Sequence, residues 1–174
     1  MRQIILFITT SLDGYIARSN GAIDWLLTDQ DYGYTEFLAS IDTVLMGRKT
    51  FEQVLSFEGN YPYPDKKNYV FSNQAQFNPA PYATLIHENA KAFVEQLRQS
   101  EGGNIWLVGG AGLVHFFLTN QLLNEIRLFI HPLLLGSGIS LFSEIPTTSL
   151  HLIESKSYSS GMVEMRYHLP YQRG

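Results

Sequence analysis

The sequence predicts an α/β fold with a mixed, mostly parallel sheet flanked by helices. Apolar runs of strand length alternate with segments of helical periodicity along most of the 174 residues. Two apolar runs end in glycine turns, at Gly47 and Gly109, and each turn leads into a predicted helix, which is typical of parallel strand–turn–helix units. Near the C-terminus, residues 151–157 and 162–168 alternate in polarity and predict a closing antiparallel pair.

The elements follow one another in a repeated αβ rhythm. The first strand is the continuous apolar run 2–9, which is typical of a strand buried on both faces. Apolar residues at helical spacing predict a helix that begins near Tyr32 and a second, short helix after Gly47. The remaining expectations are strands over 68–71, 83–86, 105–108 and 125–131, a helix from Ala90 that ends near Gly102, and a helix around 114–118.

Composition narrows the functional classes. The length and the 45% hydrophobic content predict one domain over residues 1–174. A net charge of −4 without a basic run argues against a nucleic-acid partner. The absence of cysteine excludes disulfides and thiolate metal sites, and the histidines lack metal-ligand spacing. With no signal peptide and no apolar run of about 20 residues, we expect a cytoplasmic protein without membrane contact.

The first glycine turn has the residues of a phosphate site. Unpaired backbone N–H groups and the helix dipole favour phosphate oxygens at a helix N-terminus. Gly47 leaves room for the phosphate, Arg48 offers a planar fork of donors and Thr50 a hydroxyl, while Lys49 is expected to face solvent. The alternative is that Arg48 and Lys49 are ordinary surface cations.

The second glycine turn is less specific by itself. Gly109, Gly110 and Gly112 do not complete the dinucleotide fingerprint G-x-G-x-x-G, because His115 stands at its last position. A tight strand-to-helix turn without any ligand also explains adjacent glycines. Two such turns on one sheet can nevertheless hold the two halves of a dinucleotide, so together they predict a cofactor-binding protein.

Four motifs in order resemble the dihydrofolate-reductase-like superfamily. They are residues 11–17, 46–51, 108–112 and 132–138, which together extend over most of the chain. More narrowly, the chain is similar to the reductase domain of the bifunctional riboflavin-biosynthesis deaminase-reductases. The resemblance implies a three-layer fold with a central sheet of about eight strands, and NADPH as cofactor. A chain without cysteine cannot supply the zinc signature of the deaminase half, which leaves a stand-alone reductase domain.

The resemblance also implies cofactor contacts. Arg48 and Thr50 would face the adenosine-side phosphate and the pyrophosphate, and Ser72 with Asn73 would complete the 2′-phosphate pocket. The remaining implied cofactor residues are Thr9 and Ile16 beside the nicotinamide, Gly47 at its turn, and Gly109, Gly110, Ala111 and Gly112 at the pyrophosphate. In dihydrofolate reductases the paired glycines carry a cis peptide, which would be meaningful at Gly109–Gly110.

The substrate side is predicted from Trp25, Asp31 and Gly136. The family interval before Gly47 places a substrate-holding carboxylate at Asp31, where apolar neighbours would raise its pKa. Alternatively, Asp31 simply caps the following helix. Asp13 is a second candidate catalytic acid, with a turn aspartate as the alternative. Gly136 could let the backbone approach a substrate phosphate, or could belong to a flexible crossing.

Three functions follow from these observations. The first is an NADPH-dependent reductase of a pyrimidine- or pteridine-like heterocycle, similar to the phosphoribosylaminouracil reductase of riboflavin biosynthesis. The second is a dihydrofolate reductase in the strict sense. The third is a nucleotide-binding protein without catalytic activity. A homodimer is a further expectation.

Overall fold

The computed structural model describes residues 1–170, which form ten strands and four helices. The strands are β1 (Ile4–Ser11), β2 (Tyr15–Ala17), β3 (Ile41–Gly47), β4 (Lys67–Phe71), β5 (Thr84–Ile86), β6 (Asn104–Gly109), β7 (Glu125–His131), β8 (Ile139–Ser140), β9 (His151–Ser157) and β10 (Val163–His168). The helices are α1 (Tyr34–Ser40), α2 (Arg48–Ser56), α3 (Ala90–Gln99) and α4 (Ala111–Thr119).

Eight strands form one mixed sheet in the order β5-β4-β3-β6-β1-β7-β10-β9. The first six of these pair in parallel, whereas β10 is antiparallel to both β7 and β9. The predicted mostly parallel sheet with a C-terminal antiparallel pair is confirmed.

Helices cover both faces of the sheet, which gives three layers. On one face, Phe37 of α1 and Phe51 of α2 pack against buried residues of β3 and β6. On the other face, Val94 of α3 and Phe117 of α4 pack against β1 and β6. The central strands are therefore covered on both sides, and this explains why their sequences are continuously apolar rather than alternating.

Arg2 fixes the amino ends of the three central strands. Its guanidinium contacts Asp42 and donates to the Thr43 hydroxyl (2.7 Å), both on β3, and its Nε donates to the Gly103 carbonyl just before β6 (2.8 Å). The side chain is buried, as a charge can be when its donors are satisfied. Arg2, which precedes β1, thereby links the amino ends of β3 and β6.

The structure differs from the sequence-based expectation in several places. A two-stranded sheet of β2 and β8 was not predicted, because both strands are only two or three residues long. The first strand covers residues 4–11 instead of the predicted 2–9, and α1 begins at Tyr34 rather than near Tyr32. Within residues 1–170 the single cis peptide joins Ala80 to Pro81, so Gly109–Gly110 is trans. None of the helices in this range has the length and apolarity that crossing a bilayer requires.

Candidate functional site

The topology creates a crevice where β3 and β6 end. These strands are parallel neighbours, with Met46 opposite Gly109. The chain leaves β3 through α2 on one face of the sheet and leaves β6 through α4 on the other face. Ligands of open α/β sheets bind at such switch points, outside the carboxyl ends of the strands.

A groove of about 1280 Å³ lies at this position. Its walls include the first residues of both α2 and α4, the segment after β4, and single residues of the small sheet. Eight of the predicted cofactor residues line it, namely Gly47, Arg48, Thr50, Ser72, Asn73, Gly110, Ala111 and Gly112. The two glycine turns, about sixty residues apart in the sequence, thus share one groove.

Both helix N-termini at the groove lack a side-chain cap. Neither Gly47 nor Gly110, the residues that precede α2 and α4, provides a side-chain cap, and neither helix has an acidic residue in its first turn. The leading backbone N–H groups and about half a positive charge at each terminus therefore face the groove without a competing carboxylate. This arrangement suits an anion with two phosphoryl groups.

Gly110 and Gly112 differ in what an added side chain would meet. Gly110 has φ +86°, and a Cβ there would lie 3.3 Å from the Thr50 hydroxyl oxygen, so both the backbone and the packing of the two turns need glycine. A Cβ at Gly112 would meet nothing within 4 Å, although Gly112 lines the groove. Gly112 thus leaves open space that a ligand can occupy.

Arg48 is held by its own helix. Its Nη1 donates to both carboxylate oxygens of Glu52, one turn later, at 2.7 and 2.9 Å. An i,i+4 pair of this kind stabilises an exposed helix modestly. The other guanidinium nitrogens have no partner among the described residues, so they can still donate to a ligand. Lys49, expected to face solvent, is exposed and also lines the groove.

The segment after β4 forms another wall. Ser72 is half-buried, and its backbone N–H donates to the Ile86 carbonyl (3.1 Å), which fixes its position beside β5. Its hydroxyl oxygen accepts the Gln74 N–H (3.1 Å), and as a donor the hydroxyl is free to serve a ligand. Asn73 is exposed, and His87, which was not predicted, also lines this wall.

Three predicted cofactor residues do not line the groove. Gly109 lies beneath the turn, where a Cβ would come within 3.2 Å of the Ile8 side chain. Ile16 packs against the core from β2. Thr9 is half-buried on β1 opposite Phe129. Ala17 and Ile139 of the small sheet line the groove instead.

Asp31 has the surroundings of a helix cap. It is exposed, and its carboxylate accepts hydrogen bonds from the Thr35 hydroxyl (2.7 Å) and the Thr35 N–H (3.2 Å). These bonds hold the pKa of Asp31 below its ordinary value. The expected apolar surroundings and raised pKa are therefore wrong, because the side chain turns back onto the first turn of α1. A role for Asp31 in catalysis stays a prediction that this geometry does not favour.

Asp13 and Gly136 form one loop contact. The Asp13 carboxylate accepts the Ser11 hydroxyl (2.6 Å) and the backbone N–H groups of Leu135 (3.1 Å) and Gly136 (2.8 Å). The Ser11 bond, followed by the two backbone bonds, lowers the pKa of Asp13. The Gly136 N–H is thus already used, while a Cβ at Gly138 would come within 2.3 Å of the Ala17 carbonyl oxygen. The glycines of this segment serve the loop and its close crossing of β2.

Trp25 lies against a residue that sequence reasoning missed. Its ring meets the His131 imidazole edge-to-face, with centroids 5.1 Å apart. His131 ends β7 directly opposite Ser11, the last residue of β1, and only 1% of it is exposed. A polar residue that ends an apolar strand was the available signal, since strand ends point towards ligand sites in parallel sheets.

Comparison with known proteins identifies the family. The model of the RibD C-terminal domain matches residues 2–164. The Bacillus subtilis protein YwjB, which is uncharacterized, is 39% identical over 170 residues, covering 95% of this chain and 97% of that protein. A Shewanella protein named for riboflavin biosynthesis has a similar structure, with a TM-score of 0.86, 31% identity, and coverage of 97% of this chain and 99% of that chain.

Two more distant structures show the same fold. A Thermotoga maritima deaminase/5-amino-6-(5-phosphoribosylamino)uracil reductase has a TM-score of 0.75 at 16% identity, over 97% of this chain and 56% of that chain. The dihydrofolate reductase of Enterococcus faecalis, solved with NADP(H), has a TM-score of 0.73 at 15% identity, over 97% of each chain. The predicted dihydrofolate-reductase-like fold is confirmed, and the chain belongs to the RibD C-terminal domain family.

Proposed function

We propose that this protein is a reductase that uses NADPH to reduce a pyrimidine- or pteridine-like heterocycle, with a phosphoribosylaminouracil as the first candidate substrate. The single observation that carries the proposal is the groove in which two uncapped helix N-termini meet. Family membership and the names of the Thermotoga and Shewanella proteins support the substrate class.

The groove residues fit NADPH. The volume of the groove exceeds the usual range for small-molecule sites, as the binding of an extended dinucleotide requires. The first turns of α2 and α4 would hold the pyrophosphate, with Gly112 leaving the space for it. Arg48 would donate to the 2′-phosphate through its nitrogens that Glu52 does not use, together with the Ser72 hydroxyl. The complex of the Enterococcus enzyme with NADP(H) agrees with this use of the fold.

When bound, NADPH supplies a hydride for the substrate. The chain's own task is then binding and orientation, because hydride transfer depends on holding the two reacting carbons about 3–3.5 Å apart. Asp13, Asp24 and Asp31 each accept hydrogen bonds that fix loops or a helix end. We therefore assign the proton of the reduction to solvent rather than to one of these carboxylates.

The test is NADPH oxidation with a panel of heterocycles. The panel contains 5-amino-6-(5-phosphoribosylamino)uracil, dihydropterins and dihydrofolate, with NADH in place of NADPH as the control. Turnover of a pyrimidine or pterin supports the proposal. Turnover of dihydrofolate alone supports the strict dihydrofolate reductase. Tight NADPH binding without any turnover favours the nucleotide-binding protein.

We also propose that the protein forms a homodimer through β9. This strand is the outer edge of the sheet, all seven of its residues are exposed, and Leu152 and Ile153 are apolar. Edge strands of this kind pair readily with other chains. Antiparallel pairing of two copies about Ser155 would place Glu154 of each copy opposite Lys156 of the other, which favours this register.

The dimer is tested by light scattering over a range of concentrations. Lys156→Glu would place like charges opposite each other twice and should give monomers, whereas Lys91→Glu, the same charge change on α3, should leave the mass unchanged. A monomeric wild-type protein at every concentration would exclude the dimer.

The cytoplasmic location of the protein stays a prediction.

A further inference from the structure

His131 accepts the main hydrogen bond of the segment that carries Trp25. Its Nε2 accepts the backbone N–H of Leu27 at 2.9 Å. Within residues 1–170, this is the one hydrogen bond that joins residues 25–28 to the sheet. The rest of residues 22–33 is fixed by contacts outside that stretch, such as Arg18 with Asp24 (2.6 Å) and Tyr32 with Ser160 (2.7 Å).

The hydrogen bond defines the protonation state of the imidazole. Because Nε2 accepts a hydrogen bond from the Leu27 N–H, the neutral ring carries its own proton on Nδ1. Nδ1 is buried close to the Phe129 backbone, and Trp25 Nε1 is buried without a hydrogen-bond partner among the described residues. Burial lowers the pKa of His131, while the Phe129 backbone and the charge of Asp29 act in the opposite direction. A protonated ring could not accept the Leu27 N–H.

His131 therefore holds both the backbone and the ring of this segment. His131 makes two contacts with this segment. It accepts the Leu27 hydrogen bond, and its ring packs edge-to-face with Trp25, with the two ring planes at 84°. Residues 22–33 contain no helix or strand, so they have few other means of keeping a fixed position. Asp29, the charged group that acts on His131, is exposed and accepts the Tyr32 hydroxyl (2.6 Å).

We propose that His131 is a positioning residue that sets the place of Trp25 at the substrate. This inference rests on the proposed function and on the sequence-based prediction that Trp25 lies on the substrate side. His131 does not touch the cofactor groove. Its loss should therefore change the KM for the heterocycle and leave NADPH binding unaffected.

The test compares glutamine and asparagine at position 131, because their side-chain amides differ in length. In His131→Gln the side-chain oxygen can take the place of Nε2, whereas in His131→Asn it ends too early to reach Leu27. Amide hydrogen exchange at Leu27, measured without any ligand, should be about tenfold faster or more in the Asn variant and close to wild type in the Gln variant. The KM for the heterocycle should rise about tenfold in the Asn variant alone, with NADPH affinity within about twofold of wild type in both.

A second test follows the wild-type protein as the pH is lowered. Leu27 exchange, corrected for its intrinsic pH dependence, should accelerate as His131 becomes protonated below its lowered pKa. Trp25 fluorescence should change over the same range, and Trp25→Phe should abolish that change. A Leu27 exchange rate that is insensitive to pH, or equal in the Gln and Asn variants, overturns the proposal.

The outcomes separate this inference from the function it depends on. If Leu27 responds as expected while the wild-type protein reduces no heterocycle, the proposed function fails and the His131 contact is supported. If the protein is an active reductase, Leu27 responds, and the KM stays unchanged in the Asn variant, the positioning role is refuted.

Discussion

Gly112→Ala tests the phosphate site with no steric cost to the fold. A Cβ at this position would meet nothing within 4 Å, and Gly112 lies in the first turn of α4 without a positive φ. Alanine is a better helix residue than glycine by about 0.5–1 kcal/mol. The variant should therefore be as stable as wild type or melt up to about 4 °C higher, since about 1 kcal/mol shifts Tm by roughly 2–4 °C in chains of this size.

The same methyl group would occupy the space assigned to the pyrophosphate. A hydrogen bond from a backbone N–H to a charged phosphate contributes about 1.5–3 kcal/mol, so displacing one such bond should weaken NADPH binding about tenfold or more. Fluorescence titration with NADPH and thermal unfolding of the same sample measure both effects. Gained stability with unchanged NADPH affinity would show that the phosphates do not lie against α4.

Gly110→Ala is the necessary contrast to Gly112→Ala. Its φ of +86° and the Thr50 oxygen 3.3 Å from the added Cβ both oppose a side chain. A strained backbone of this kind costs of the order of 1–3 kcal/mol. The variant should lose stability as well as NADPH affinity, so a loss of binding in Gly110→Ala alone would not locate the phosphates.

Three further predictions follow from the described contacts. Arg48→Ala should weaken NADPH binding by about 1.5–3 kcal/mol and leave NADH binding nearly unchanged, as measured by parallel titrations; equal losses for both cofactors would refute a 2′-phosphate contact. Asp31→Ala should lower Tm, because the α1 cap is lost, with turnover within a few-fold of wild type; a collapse of turnover without loss of stability would restore Asp31 as a functional acid. The pKa of His131 is lowered in the folded state, so the unfolded chain takes up a proton on this ring first as the pH falls. The contribution of neutral His131 to the free energy of unfolding is therefore complete above about pH 6.5 and is lost as the pH falls through the lowered pKa. Tm measured at several pH values should show this slope in the wild-type protein and a smaller one in His131→Gln.

The sequence predicted the elements whose patterns are produced by burial. β7 has the predicted bounds, and β1 and the second half of β3 are apolar runs, because helices cover both faces of the sheet. The exposed strand β9 also has the predicted bounds, but it was predicted from its alternating polarity. The β2–β8 pair was missed because two or three residues carry no measurable periodicity. Its pairing depends on the close approach of Gly138 to Ala17, which is a tertiary contact.

The candidate site was predictable where backbone geometry defines it. The turns at Gly47 and Gly110 face one groove as expected, since glycines after parallel strands leave helix N-termini open. Side-chain partners could not be predicted in the same way. Asp31 turns onto Thr35, and His131 reaches Leu27, 104 positions earlier in the chain, so both depend on distances that only the folded chain sets.

The separation of the two groove walls along the chain also affects how the protein folds. Gly47 and Gly110 become neighbours only when β3 and β6 pair, which closes a loop of about sixty residues that contains β4, β5 and α3. A partly folded chain lacking this pairing has no complete groove, so a dinucleotide would bind the native state and not its precursors. At a free concentration one hundred times its dissociation constant, the dinucleotide would add about 2.7 kcal/mol to the free energy of unfolding. Cofactor supply would then govern how long the protein survives proteolysis, even in a variant that has lost its chemistry.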